Sequence, residues 1–207
     1  MEEKGEELMG LQKYKALILV ITAVSTLFIA SPLLQKLVYF PQTVFFTELS
    51  LFGPYNNATY PSNVTVGADY RLYLNVNNHL GTQASYVIKP KFGNQTQFTP
   101  DSFNHTSSIL PSLGDITFSL ADNKFIQLPI NVSFQYNVDK NNSRQLDMQS
   151  IVLNGETIDV SNTTIAWNSG KNGFYGNLFF ELWLLNDTTN ALQYDQRYVS
   201  LWLKMSP

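Results

Sequence analysis

Residues Ala16 to Leu34 (ALILVITAVSTLFIASPLL) run without a single charged side chain. A helix rises ~1.5 Å per residue, so this stretch would reach ~28 Å, close to the ~30 Å hydrocarbon layer of a bilayer. No other feature constrains the chain as strongly. Lys13 and Lys15 precede the stretch directly, and Lys36 alone follows it. By the positive-inside tendency the N-terminus is expected in the cytoplasm and everything beyond residue 36 outside. The chain then divides into a cytoplasmic tail (1–15), a transmembrane helix (16–36), a tether (37–42) and an extracellular domain (43–207). The expected localisation is a single-pass protein of the cell membrane.

Three other readings compete for the apolar stretch. A buried helix of a soluble domain would carry a polar stripe, and only Thr22, Ser25, Thr26 and Ser31 interrupt this one. A cleaved signal peptide needs small residues before the cut, and Phe28, Ile29 and Ala30 supply a poor site. The third is a prepilin-like signal. Lys15-Ala16-Leu17-Ile18 resembles the site cut by archaeal prepilin peptidases, although the glutamate usual five residues into a mature pilin helix is missing. An uncleaved anchor fits best, with Pro32 near its outer end and Tyr39, Phe40, Phe45 and Phe46 as interfacial aromatics.

Asparagine provides the second signal. Acceptor triplets Asn-x-Ser/Thr begin at Asn57, Asn63, Asn94, Asn104, Asn131, Asn141, Asn162 and Asn186. Chance alone would give roughly three in a chain with this much Asn, Ser and Thr. All eight lie beyond the apolar stretch. An N-glycan is added on the lumenal or external side, so their distribution agrees with the orientation read from the lysines. Covalent N-glycans are accordingly expected at these eight positions.

The part beyond residue 36 resembles an ordinary domain in size, with 14% aromatic residues in the whole chain to build a core. The net charge is -3 and no basic run exists, which argues against nucleic acid as a partner. Cysteine is absent, so neither a disulfide framework nor a thiolate metal site can hold the fold.

Period-two alternation recurs along this part. Thr43 to Phe52 reads as a first strand, closed by Gly53-Pro54. Tyr70, Leu72, Leu74 and Val76 alternate with polar residues, a turn follows at His79 to Thr82, and Ala84 to Phe92 reads as the hairpin partner. Thr96 to Leu113 carries a poorer pattern and reads as a long loop with a short strand, before Ile116, Phe118 and Leu120 alternate again. The clearest strand places Ile126, Leu128, Ile130, Val132, Phe134, Tyr136 and Val138 on one face, with Pro129 outward as at an edge or a bulge. Asn154-Gly155 marks a tight hairpin. Asn177 to Leu185 and Arg197 to Met205 form the last two strands. Eight or nine strands without a helix beyond the anchor predict an all-β, immunoglobulin-like β-sandwich.

The strings Leu51-Phe52-Gly53-Pro54, Tyr60-Pro61-Ser62-Asn63-Val64-Thr65-Val66-Gly67 and Val76-Asn77-Asn78-His79 resemble the opening of an archaeal family catalogued as domain of unknown function 1616. Arg197-Tyr198-Val199-Ser200-Leu201-Trp202-Leu203 is similar to that family's closing strand. The resemblance spans residues ~43 to 205 and implies a membrane-anchored protein with an exported domain, without an activity attached.

Candidate chemistry is sparse. His79 falls in a turn and His105 inside a glycan-acceptor triplet, where a sugar would obstruct a catalytic base. Two histidines without cysteine make a poor zinc set. Ser169-Gly170-Lys171-Asn172 lacks the spacing of a phosphate loop. The carboxylates Asp139, Asp147, Glu156, Asp159, Glu181, Asp187 and Asp195 are scattered, and Asp122-Asn123 and Asp139-Lys140-Asn141 read as turn residues ahead of calcium ligands. Trp167, Trp183 and Trp202 suit core packing better than a sugar platform. No catalytic, cofactor or metal residue is assigned. The expected function is a non-enzymatic, glycosylated surface protein with a structural, adhesive or assembly role. Its partners would be the membrane through 16–36, itself or other envelope proteins. A pilin-like filament subunit, a carbohydrate-binding protein and an accessory subunit of a membrane complex are the alternatives.

Overall fold

The computed structural model describes residues 14–29, 44–101, 103–186 and 188–207. It divides into two compact units, Met1–Val44 and Phe45–Pro207. In the first, residues 14–29 form a helix whose side chains are all exposed. Thr22 and Thr26 turn their hydroxyls onto the carbonyls of Ile18 and Thr22, each at 2.7 Å, so the helix satisfies its own polar groups. Among the described residues no helix is long and apolar enough to cross a membrane. Residues 30–36 of the expected span, the tether 37–42 and most of the 1–15 tail lie outside the described residues.

The second unit is all-β. Its strands are β1 (Phe46–Phe52), β2 (Asn63–Thr65), β3 (Tyr70–His79), β4 (Ala84–Gly93), β5 (Ile116–Leu120), β6 (Lys124–Val138), β7 (Gln145–Leu153), β8 (Glu156–Asp159), β9 (Thr164–Asn168), β10 (Gly173–Asn186) and β11 (Ala191–Ser206). One layer runs β1-β3-β6-β7, with β8 and β9 against β7. The other runs β5-β4-β10-β11-β2. Every pairing is antiparallel except β2 beside β11. Strand β9 bonds to both β7 and β10, so the ladder turns over from one layer into the other like half of a barrel.

Alternation dictates which side chains meet between the layers. Leu72, Leu74 and Val76 of β3, Ile130, Val132, Phe134 and Tyr136 of β6, and Leu178, Phe180 and Leu182 of β10 are buried in one cluster. Each such side chain contributes ~1.5–3 kcal/mol relative to exposure, which is why the register cannot slip by one residue. Phe92 of β4 meets Phe134 of β6 with ring centroids 5.7 Å apart. The buried Tyr136 hydroxyl donates towards the carbonyls of Val64 (3.0 Å) and Ser206 (2.7 Å), joining β6 to β2 and β11. Burial pushes this phenol up to about 12.

Several expectations need correction. Strands number eleven among the described residues rather than eight or nine, because β2 and β9, of three and five residues, are too short to show a period. Strand β4 is not the hairpin partner of β3. It pairs β10 and β5 in the opposite layer, since it buries residues on both faces and would leave one bare beside β3. The buried Asn78 holds this crossover, donating to the carbonyls of Thr82 and Leu120, each at 2.8 Å. Among the described residues of 96–113 no strand forms, and Asp101 and Thr106 make an isolated bridge. Pro129 sits where β6 has β3 on one flank and β7 has not yet begun, which leaves the proline beside an open edge. At the β7–β8 turn Asn154 and Gly155 have φ of 51° and 92°, as a tight hairpin requires.

Candidate functional site

The most elaborate chemistry lies on the outer face of β4 and β10. Asn177, Phe179 and Glu181 alternate with the core residues of β10 and so point away from the core, yet all three are buried. The segment between β4 and β5 folds over them. Leu113 N donates to Pro90 O at 2.7 Å, and Ser108 N donates to the Glu181 carboxylate at 2.6 Å. Lys91 Nζ, also buried, lies 2.9 Å from Glu181 Oε2 and 2.6 Å from Ser108 O. Trp183 Nε1 completes the set, donating to Glu181 Oε2 at 3.1 Å. Glu181 thus accepts from an ammonium, a backbone amide and an indole. Removing one member of a buried pair typically costs ~3–5 kcal/mol.

The covering segment carries a contrasting surface. Phe98, Phe103 and Ile109 are 75%, 89% and 85% exposed, although Ser108 between them is pinned. At its tip Asp101 Oδ1 accepts from Phe103 N (2.8 Å) and Asn104 N (3.2 Å), which with the Asn104 side chain hold this carboxyl below its usual range. Phe103 is therefore displayed from a hydrogen-bonded turn.

His105, at the same tip with φ of 55°, borders a pocket of about 290 Å³ with Asp195, Gln196, Arg197 and Tyr198. The pocket exists because β11 bulges. Leu182 pairs Arg197 but Trp183 pairs Tyr194, so Asp195 and Gln196 loop out, the latter with φ of 59°. Asp195 accepts a hydrogen bond from Thr47 Oγ1 of β1. Desolvation pushes its carboxyl up, against the Thr47 hydroxyl and the Arg197 charge. The Arg197 Nε donates to Thr47 O at 3.2 Å. His79 is elsewhere, stacked on Phe46 at 4.8 Å.

The eight acceptor asparagines spread over both layers and their loops. Asn57, Asn63, Asn104, Asn131, Asn141, Asn162 and Asn186 are exposed. Asn94 differs. It is half-buried, its Nδ2 donates to Thr164 O at 2.9 Å, and its Oδ1 accepts from the amides of Thr96 and Gln97. Asn131 accepts from Arg71 Nε at 3.1 Å and edges an open hollow with Asp69, Tyr70 and Val152.

Other singled-out residues take structural places. Asp139 Oδ1 accepts from Asn141 N (2.7 Å) within its turn, and Asp122 Oδ1 accepts from Gly81 N (2.9 Å), joining the β5–β6 turn to the β3–β4 connection. Asp147 accepts from Gln145 Nε2 at 2.8 Å and Asp159 from Ser161 N at 2.8 Å. Glu156 is exposed beside the β7–β8 turn, and Asp187 lies outside the described residues. Core packing fits Trp167, edge-on to Phe174 at 5.0 Å, but not the other two tryptophans. Trp183 lies on the outer face against Tyr194 with Lys89 over its ring, and Trp202 is 42% exposed with Lys171 over it. Each alternates with the core residues of its strand, Trp183 with Leu182 and Trp202 with Leu201 and Leu203, and so turns away from the core.

No family model matches the chain, and no curated protein matches it. Among solved structures it is similar to part of a β-glucosidase from Listeria innocua, with 8% identity and a TM-score of 0.40 over 78% of this chain. The chain spans 16% of that enzyme's length. It is also similar to a CARDB domain from Pyrococcus furiosus in complex with di-metal ions, with 10% identity and a TM-score of 0.38, covering 78% of this chain and 89% of that domain. A β-D-glucoside glucohydrolase from Trichoderma reesei gives 9% identity and a TM-score of 0.30, over 80% of this chain and 19% of its own.

Glu181 counts among the scattered carboxylates of the sequence, and nothing in its spacing joins Lys91 to it. A signal was present: each charge interrupts a strongly apolar strand, in YVIKPKF and LFFELWLL.

Proposed function

We propose that this chain is an exported, N-glycosylated surface module, held at the cell membrane through the 16–36 stretch, with a non-enzymatic adhesive or assembly role. The observation that carries the binding role is the covering segment, which displays Phe98, Phe103 and Ile109 while a buried ion pair fixes its base. Apolar side chains held out in this way favour contact with another macromolecule of the envelope. The seven exposed acceptor asparagines support the external placement, since each needs a solvent-facing side chain. An immunoglobulin-like β-sandwich is the fold reading supported by β1-β3-β6 facing β5-β4-β10-β11, with β2 parallel to β11. Kinship with the archaeal family named above belongs to the same proposal.

Replacing Phe98, Phe103 and Ile109 together by serine tests the role. Association of the full chain with isolated envelopes is expected to fall at least severalfold while its melting temperature stays within a few degrees. Undiminished association would remove the segment from the account. A sugar-binding role is the second reading, favoured by the polar pocket at the β11 bulge. It predicts that Arg197→Ala weakens retention on a glycan array.

A further inference from the structure

Asn177 is 1% exposed, and neither its Oδ1 nor its Nδ2 has a hydrogen-bond partner. Folded proteins rarely leave a buried amide unpaired at both ends. Its neighbours make the position informative. Lys91 stands opposite Phe179 in the β4–β10 ladder, so Asn177 and Glu181 are its two diagonal neighbours on the same face. Diagonal neighbours in a sheet come within reach of a long side chain. Lys91 Nζ already lies 2.9 Å from Glu181. Opposite Asn177 is Gly93, which has no side chain to intervene, and Leu110 and Gln97 close over it. Phe179 beneath the lysine is fully buried. The ladder register thus sets a primary amine, a carboxyl group and a carboxamide on one buried sheet face.

We propose that Lys91, Glu181 and Asn177 form an intramolecular amide bond between β4 and β10. Across their 2.9 Å contact the Lys91 ammonium hands a proton to the Glu181 carboxylate, which frees the amine lone pair. The amine lone pair then forms the new bond to Asn177 Cγ. Glu181 gives its proton to the amide nitrogen, the Cγ–Nδ2 bond breaks, and ammonia leaves with the electron pair. The attacking nitrogen returns its surplus proton to Glu181. The sum is amine plus carboxamide giving secondary amide plus ammonia, without oxidant or cofactor. Fixed proximity supplies the acceleration that free amine and amide lack in water. The reaction occurs once per chain and turns over no external substrate, so it is independent of the surface role proposed above. Its product would fasten the base of the displayed segment covalently.

Mass measurement on the folded full chain, produced in a host without N-glycosylation, tests this directly. The chain is expected to be lighter by one ammonia, with trypsin failing to cut after Lys91 and a branched peptide joining the β4 and β10 fragments. Lys91→Arg, Asn177→Ala and Glu181→Gln should each restore the full mass. Asn177→Asp should instead lose one water, a result that folding alone would not produce. Separate Lys91 and Asn177 peptides in the native chain would overturn the proposal. So would a deficit located at Asn154-Gly155, where a cyclic imide also expels ammonia. A bond persisting in Glu181→Gln would overturn the role given to the carboxyl group.

Discussion

The Tyr136 hydroxyl lies 2.7 Å from the Ser206 carbonyl oxygen, tying the C-terminal part of β6 to the end of β11. Val64 O is 3.0 Å away on β2. Tyr136→Phe keeps the ring in the core but strands two carbonyls. Stability in urea is expected to drop by ~1–3 kcal/mol, with an unchanged denaturant slope. An unchanged midpoint would mean that the hydroxyl is not what joins these strands.

Asp195 gives stability a pH dependence of definite sign. Its folded carboxyl is raised above the ordinary value of 3.8, chiefly by desolvation. The folded state therefore holds the proton more tightly than the unfolded one. This contribution is complete below the ordinary value and is lost as pH rises through the folded value. Asp195→Asn keeps an acceptor for Thr47 without the buried charge. The melting temperature of the variant should exceed that of the parent at neutral pH, and the two should converge in acid. Parallel curves would contradict this.

Gly155 has φ of +92°, a conformation that costs other residues energy. Gly155→Ala is expected to destabilise by about 1 kcal/mol. Nothing lies within 4 Å of the added carbon, so the loss would come from backbone strain. Thermal denaturation checks this, and an unchanged midpoint would contradict it.

Asn94 should remain bare while the seven exposed acceptors carry sugar. Its amide nitrogen is engaged by Thr164 O, and its oxygen holds the following turn. Asn94→Gln should leave the glycoprotein's carbohydrate mass unchanged but lower its melting temperature. Glycopeptides bearing sugar at Asn94 would refute the burial argument.

Some of this architecture is written plainly in the residues and some is not. Strand β6 was legible because its apolar period of two extends without a break, and the β7–β8 turn because Asn154-Gly155 suits few other conformations. The partner of β4 was not legible. Adjacent strands usually pair, and only the demand for burial on both of its faces sends it across to β10. Lys91 and Glu181 were hidden for a similar reason, since outward-facing charges read as solvated until a loop covers them. The bulge at Asp195-Gln196 left no sequence mark, because the last strand reads as starting only at Arg197, beyond it. His105 reaches the Asp195 pocket through a tight turn whose position depends on packing alone.

The central claim is that the β-rich unit faces the outside and bears glycans. A membrane-impermeant lysine reagent applied to intact cells tests it, followed by peptide mapping. The account predicts labelling of exposed Lys124 and Lys140, sugar on asparagines beyond residue 36, and no labelling of Lys13 and Lys15 until the cells are lysed. Unlabelled Lys124 and Lys140 on intact cells, with every asparagine unmodified, would contradict it.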